Sequence, residues 1–197
     1  VFPFYTPNGK KAVRCWHADV DNVQKRIKVI AEELSKAKLP YFVSFEYEEN
    51  GIATDAGIQP IVIMDWVEAL ELKDYVEKHR YNPEALKKLA ENFLKMTDDL
   101  HKHNFSHGNL QHGNILIKDD GSIVLVDYDS MFVPGLESYP EDIKGLAAYQ
   151  HPKRIEQKNM TPKADYFSEL IIYTAIKAIQ HFPKLWDELK VTDAETS

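Results

Sequence analysis

The chain has 197 residues, 44% of them apolar and 28% charged, enough for one compact domain or two small lobes sharing a cleft. Its net charge of −7 argues against nucleic acid as the main partner. A single cysteine, Cys15, excludes an intramolecular disulfide framework and fits a reducing, cytoplasmic setting. The longest apolar run, Leu170 to Ile179, is interrupted by Thr174 and Lys177 and is too short to cross a bilayer, so no membrane partner is expected. No signal peptide pattern is visible at Val1, and no internal repeat or low-complexity linker is present.

Taken in order, Val1 to Tyr5 and Lys11 to Trp16 are β-prone runs joined by Thr6-Pro7-Asn8-Gly9-Lys10. Asn-Gly tolerates positive φ at both positions, so a hairpin is expected. Asp19 to Lys36 reads as a helix capped by Asp19 or Asp21, with Val23, Ile27, Ile30, Ala31 and Leu34 on one face. Glu33 falls at the rim of that face and Glu32 nearly opposite it. Tyr41 to Tyr47 alternates as a strand, and Glu48-Glu49-Asn50-Gly51 reads as a turn. Pro60 to Glu68 is a buried apolar strand with a polar exit. Asn82-Pro83 supplies N-cap and first position of a helix whose stripe is Leu86, Leu89, Ala90, Phe93, Met96 and Leu100.

The most informative stretch follows. Ser106-His107-Gly108-Asn109-Leu110-Gln111-His112-Gly113-Asn114 and Asp127-Tyr128-Asp129 are polar loops flanking a short hairpin. Its strands are Ile115 to Ile117 and Ile123 to Val126, and its turn is Lys118 to Gly121. This layout puts Asn109, Asn114 and Asp127 at the mouths of adjacent strands, where they can act on one ligand. His101, His103, His107 and His112 are close in sequence, but their spacing matches no usual zinc pattern. Ser130 to Arg154 is irregular. Thr161-Pro162 opens a last helix, apolar almost all round, that Pro183 ends.

These motifs, in this order, resemble the catalytic core of protein kinases, over roughly Ala12 to Trp186. The family's catalytic loop reads His-Arg-Asp, four residues, Asn, and its metal loop reads Asp-Phe-Gly. Here His107-Gly108-Asn109 stands for the first triplet, Asn114 for the later Asn, and Asp127-Tyr128-Asp129 for the metal loop. Ala12-Val13-Arg14-Cys15 looks like the Val-Ala-Ile-Lys strand with Arg14 in place of the lysine. Ala164-Asp165-Tyr166-Phe167-Ser168 is similar to the F-helix motif Asp-x-Trp-Ser.

The resemblance implies an α+β bilobal fold: a small antiparallel β N-lobe at residues 1–64, then a hinge and mainly helical C-lobe at 65–197, truncated at both ends. No glycine-rich loop precedes the hairpin, and the C-lobe stops after the F-helix. It implies ATP and Mg²⁺ as cofactors. Mg²⁺ falls to Asn114 and Asp127. Arg14 is expected to hold phosphates, Ala12 and Leu116 to sandwich the adenine, and Met64 to be the gatekeeper. The Asp65, Trp66 and Val67 backbone meets the base edge, and Glu71 reaches the ribose. Glu33 is the favoured partner of Arg14, and His107 and Asp165 support the catalytic loop. The motif variants look most like a bacterial group of serine/threonine-kinase-like proteins.

Three departures matter. Asn109 stands where the family has its catalytic Asp, and an amide does not accept a proton as a carboxylate does. His151-Pro152-Lys153 replaces Ala-Pro-Glu, so the usual Glu ion pair is lost or inverted. Asp129 replaces a glycine. Three readings stay open: a protein serine/threonine kinase impaired by Asn109, a non-catalytic pseudokinase that binds a protein partner, and a small-molecule kinase of the aminoglycoside or choline phosphotransferase type.

Overall fold

The computed structural model describes residues 2–7, 9–15, 21–55, 57–141 and 145–189, and for residues 21–24 the backbone alone. Asp19 and Asn8, expected as helix cap and turn residue, lie outside the described residues, as does the Asp21 side chain.

The N-terminal part is an antiparallel sheet with one helix on it. Strands β1 (Phe2–Thr6), β2 (Gly9–Cys15), β3 (Phe45–Thr54) and β4 (Gly57–Asp65) lie in the order β1-β2-β4-β3. β4 is central because it is the most apolar strand: Ile61, Val62 and Met64 are buried. Its register sets Ala12 opposite Met64 and Arg14 opposite Val62. Helix α1 (Asp21–Ala37) packs Ile27 against Val62 and Met64, while Ile30 and Leu34 reach the larger core. The expected turn at Glu48 to Gly51 is instead a bulge inside β3, where the register shifts between Glu48 and Ile52. Gly51 lies so close to the Ile61 side chain that a Cβ would collide with it.

The C-terminal part is mainly helical. A small sheet, β5 (Leu70–Glu71), β6 (Ile115–Ile117) and β7 (Ile123–Leu125), packs beside α2 (Leu72–His79) and α3 (Pro83–Lys102). Asn82 caps α3 by accepting the Ala85 N–H at 3.2 Å, with Pro83 at the first position. The expected stripe from Leu86 to Leu100 is buried in one core with β6, β7 and α4 (Tyr166–His181). α4 starts at Tyr166, four residues after Pro162, because 162–165 form turns. It is not buried all round. Ser168, Ile172, Ile176 and Ile179 face the core, while Leu170 is 62% exposed. A last turn, α5 (Leu185–Glu188), follows Pro183. No described helix is long and apolar enough to cross a membrane.

The segment after α1 ties the two parts together. Phe42 bridges Leu125, and the Leu125 N–H donates to the Tyr41 carbonyl at 2.8 Å. The Tyr128 hydroxyl accepts the Val43 N–H at 3.1 Å and donates to the Leu125 carbonyl at 2.7 Å. Its ring packs edge-on against Phe42 and Phe45, and burial pushes its phenol well above the ordinary range. Tyr128 thus pins the sheet to the helical body.

Two substitutions probe this core. Phe93 is fully buried, and Phe93→Ala is expected to cost about 3–5 kcal/mol in urea unfolding. Leu170→Ala, on the open face of α4, is expected to change stability by less than about 0.5 kcal/mol in the same assay.

Candidate functional site

A cavity of about 770 Å³ opens where the sheet meets the helical body. β2 contributes Ala12 and Arg14, and the end of β4 contributes Met64 and Asp65. The connection to β5 contributes Trp66 and Val67, and β5 itself Glu71. Asn114 enters from the loop before β6, Leu116 from β6 and Asp127 from the loop after β7. Every residue expected to bind nucleotide or metal therefore lines one cavity. Cys15, Val43, Gly113 and Val126 line it as well, and sequence reasoning did not single them out. The alternation around Val43 placed it on a strand face but not against a ligand.

The cavity's edge at 65–67 has defined hydrogen bonding. The Asp65 N–H donates to the Ser44 carbonyl at 3.4 Å and the Trp66 N–H to the Lys10 carbonyl at 3.3 Å. The Lys10 ammonium sits 3.6 Å from the Trp66 ring centroid, and Lys11 pairs with Asp65 at 2.5 Å. The Val67 N–H has no backbone partner among the described residues. The Trp66 indole nitrogen is buried without a partner.

Arg14 does not meet the residue expected for it. Glu33 pairs with Lys36 at 2.6 Å, near the C-terminal end of α1. The Arg14 guanidinium instead forks between Asp127 and Asp129. A planar fork with two donor edges can bridge two carboxylates, which a lysine ammonium does less well. Asp127 itself has left-handed backbone, φ +67°, which turns the chain from β7 into a short 3-10 turn at Tyr128–Ser130. Asp tolerates that conformation better than branched residues do.

The catalytic-loop candidates are held from three sides. His107 is fully buried. Its Nε2 donates to the Val126 carbonyl at 2.8 Å, and its Nδ1 accepts the Asn109 N–H at 3.4 Å, which assigns the neutral Nε2–H tautomer. The Asp165 carboxylate accepts the N–H groups of His107 and Gly108, the latter at 3.0 Å. Burial pushes the Asp165 carboxyl up from its ordinary value, and the Arg154 guanidinium and the N–H groups of His107 and Gly108 oppose that shift. Arg154 donates to the Gly108 carbonyl at 2.6 Å, to Glu141 at 2.7 Å and to Gln150. Arg154 and Glu141 were not expected in this role. The only sequence hint was the absence of a Glu after Pro152, which left the ion pair open to inversion.

Asn114 Nδ2 donates to the Asn109 carbonyl at 2.8 Å, which leaves its Oδ1 as the atom available to a ligand. Asn109 is not among the residues lining the cavity. Its Oδ1 is buried without a partner and lies against Gly145, where a Cβ would collide with it. The four neighbouring histidines diverge. His101 meets Glu169 at 2.9 Å, His103 the Asp99 carbonyl at 2.8 Å, and His112 the Tyr149 hydroxyl at 2.8 Å. Among the described residues no three His, Cys, Asp or Glu side chains gather as metal ligands.

The sequence also resembles known proteins. The sequence profile of the protein kinase domain matches residues 21–193. Serine/threonine-protein kinase fray1 of Dictyostelium discoideum is 29% identical over 174 residues, 85% of this chain and 28% of that protein. Serine/threonine-protein kinase pakG of the same organism is 24% identical over 170 residues, 84% of this chain and 14% of that protein. Serine/threonine-protein kinase PknL of Mycobacterium tuberculosis is 27% identical over 115 residues, 57% of this chain and 29% of that protein. The chain thus spans less than a third of the length of these relatives. With a matching profile over most of its length and the bilobal α+β architecture described above, this chain belongs to the protein kinase domain family.

Proposed function

We propose that this domain binds ATP with Mg²⁺ in the cavity between its lobes, and that Asn109 leaves phosphoryl transfer to protein Ser or Thr impaired. The observation that carries the reading is the convergence of Ala12, Arg14, Met64, Glu71, Asn114, Leu116 and Asp127 on one cavity of about 770 Å³. That volume lies in the range of small-molecule sites. The donor set fits the cofactor. Mg²⁺ takes hard oxygen ligands, one or two carboxylates plus substrate phosphates, and Asp127 and the Asn114 Oδ1 supply that chemistry. When bound, the ion neutralises charge on the β- and γ-phosphates.

The chain's own residues do the rest. Ala12 and Leu116 hold the adenine from two sides, and Met64 limits the depth of its slot. The Val67 N–H is free to donate to the base edge, consistent with its lack of a backbone partner. Glu71 orients the ribose, and Arg14 faces the phosphates. Glu33 is left out of this assignment, since its partner is Lys36. His107, Asp165 and Arg154 fix the loop that carries residue 109. Asn109 can orient an acceptor hydroxyl but cannot take its proton. The resemblance to a bacterial group of kinase-like proteins rests on the same motif variants.

One observation favours a non-catalytic role as the second reading. Asn109 packs against the Gly145 backbone with its Oδ1 buried. An acceptor hydroxyl would have to displace that contact. A domain in this state is suited to recognising a protein partner in a nucleotide-dependent way.

Thermal unfolding with ATP, with and without Mg²⁺, tests the reading. At 100 times Kd a ligand stabilises the fold by about 2.7 kcal/mol. For a chain of this size that raises Tm by roughly 5–11 °C. The rise is expected with Mg²⁺ and should vanish in Asp127→Ala. A Mg²⁺-dependent rise that survives in that variant would remove Asp127 from the metal site. Separately, Asn109→Asp is expected to raise phosphate transfer to a generic protein substrate by roughly 10²–10⁴-fold. Equal rates in the two forms would clear Asn109 as the cause of impairment.

A further inference from the structure

Among the described residues Arg14 is the one lysine or arginine that lines the cavity, alongside three carboxylates, Asp65, Glu71 and Asp127. Lys11 compensates Asp65 from outside. Among the described residues a polyphosphate entering the cavity therefore meets one cation, and that cation is already engaged by Asp127 and Asp129. The two acids are not equivalent. The Asp127 side chain is 37% exposed and lines the cavity, while that of Asp129 is 14% exposed and does not. A divalent ion arriving through the cavity reaches Asp127 first.

Resting on the nucleotide reading above, we infer that Asp129 is a positioning residue that parks Arg14 and makes nucleotide binding conditional on a divalent cation. Without the ion, Asp127 repels phosphate and both acids hold the guanidinium away from it. Neutralising Asp127 frees one edge of the fork for the phosphates, while Asp129 keeps the group at the cavity wall. Two charge-assisted pairs must be loosened in the metal-free protein, and only one when Asp129 is absent. The coupling is reciprocal: what the cation does for nucleotide affinity, nucleotide does for cation affinity. The chemistry that distinguishes this arrangement is the pairing of an arginine at 14 with an aspartate at 129, since a lysine ammonium does not bridge two carboxylates as a fork does.

The test is calorimetric titration of a non-hydrolysable ATP analogue into the wild-type chain, Asp129→Asn and Asp129→Glu, each with Mg²⁺ and with EDTA. Asp129→Asn is expected to raise metal-free affinity about tenfold, the scale of one partly exposed charge-assisted pair, with Mg²⁺-loaded affinity moved less than about threefold. Asp129→Glu is expected to restore the wild-type ratio. In an Arg14→Lys background the same Asn substitution is expected to change nothing further, because the effect passes through the fork. An unchanged ratio in Asp129→Asn, or equal weakening in both conditions, would overturn the inference while leaving the nucleotide site intact. Absence of binding in every form and condition would overturn the nucleotide reading itself, and the inference with it. Binding by Asp129→Asn alone would support the parked arginine.

Discussion

The Gly108 peptide is the constraint on which the site depends. Asp165, at the start of α4, accepts its N–H and that of His107, and Arg154 donates to its carbonyl. Gly108 has φ +77°, and a Cβ there would collide with the Ser130 carbonyl. Only glycine lets the loop before Asn109 lie this close to Ser130. Both donors and acceptor are buried, so each bond forms in a medium where leaving it unmade costs far more than in water.

That clamp connects to the rest of the fold through charge. Arg154 and Glu141 have side chains only 4% and 3% exposed, and their pairing spans the irregular stretch between metal loop and α4. Removing one partner of such a pair typically costs about 3–5 kcal/mol, because the other charge is left buried alone. The stretch is thus held to the catalytic loop by a built-in acid and base. The arrangement inverts what Ala-Pro-Glu would supply, with the cation on the Pro152 side and the acid eleven residues upstream of that proline. On the other side of the cavity, Arg14 performs the matching task across the lobes, joining β2 to the loop after β7. Tyr128 adds an uncharged joint between the same two regions, with its hydroxyl used in both directions.

Asn109 adds an unmet acceptor beside this network, in which the Glu141 Oε2 is also buried without a partner. Its Oδ1 is buried and unpartnered, as is the Gln150 Nε2 across Gly145. Buried polar atoms without partners are rare in folded proteins and concentrate where function or adaptation has been active. Here two of them lie beside Asn109, one of the positions where the chain departs from the family pattern, so the local cost and that motif departure coincide.

Much of the fold and most of the site were legible in the sequence. The α3 stripe, the Asn82-Pro83 cap, the Asn-Gly and Asp-Gly hairpins and the spacing of Asn109, Asn114 and Asp127 are local patterns. Local patterns obey helix and strand periods that tertiary contacts rarely override when they agree with one another. The cavity-lining residues were readable through the resemblance of the motif order to the kinase core, and strand register then sets Ala12 opposite Met64 and Arg14 opposite Val62. What failed depended on partners far apart in sequence. Glu33 lay at the right rim of α1, yet Arg14 lies 113 and 115 residues from the acids that hold it. The bulge at Glu48 to Ile52 was read as a turn because only its packing on Ile61 shows that the strand continues. The apolar length of α4 announced burial on every side, but which faces are covered depends on which elements pack against it. The sequence by itself determined the element order and the family pattern, and through that resemblance pointed to the residues that line the cavity, since periodicity and motif spacing are properties of neighbouring positions. Only the tertiary structure decided which charges meet, because the energy of an ion pair depends on distance and burial, and neither is written in the order of residues.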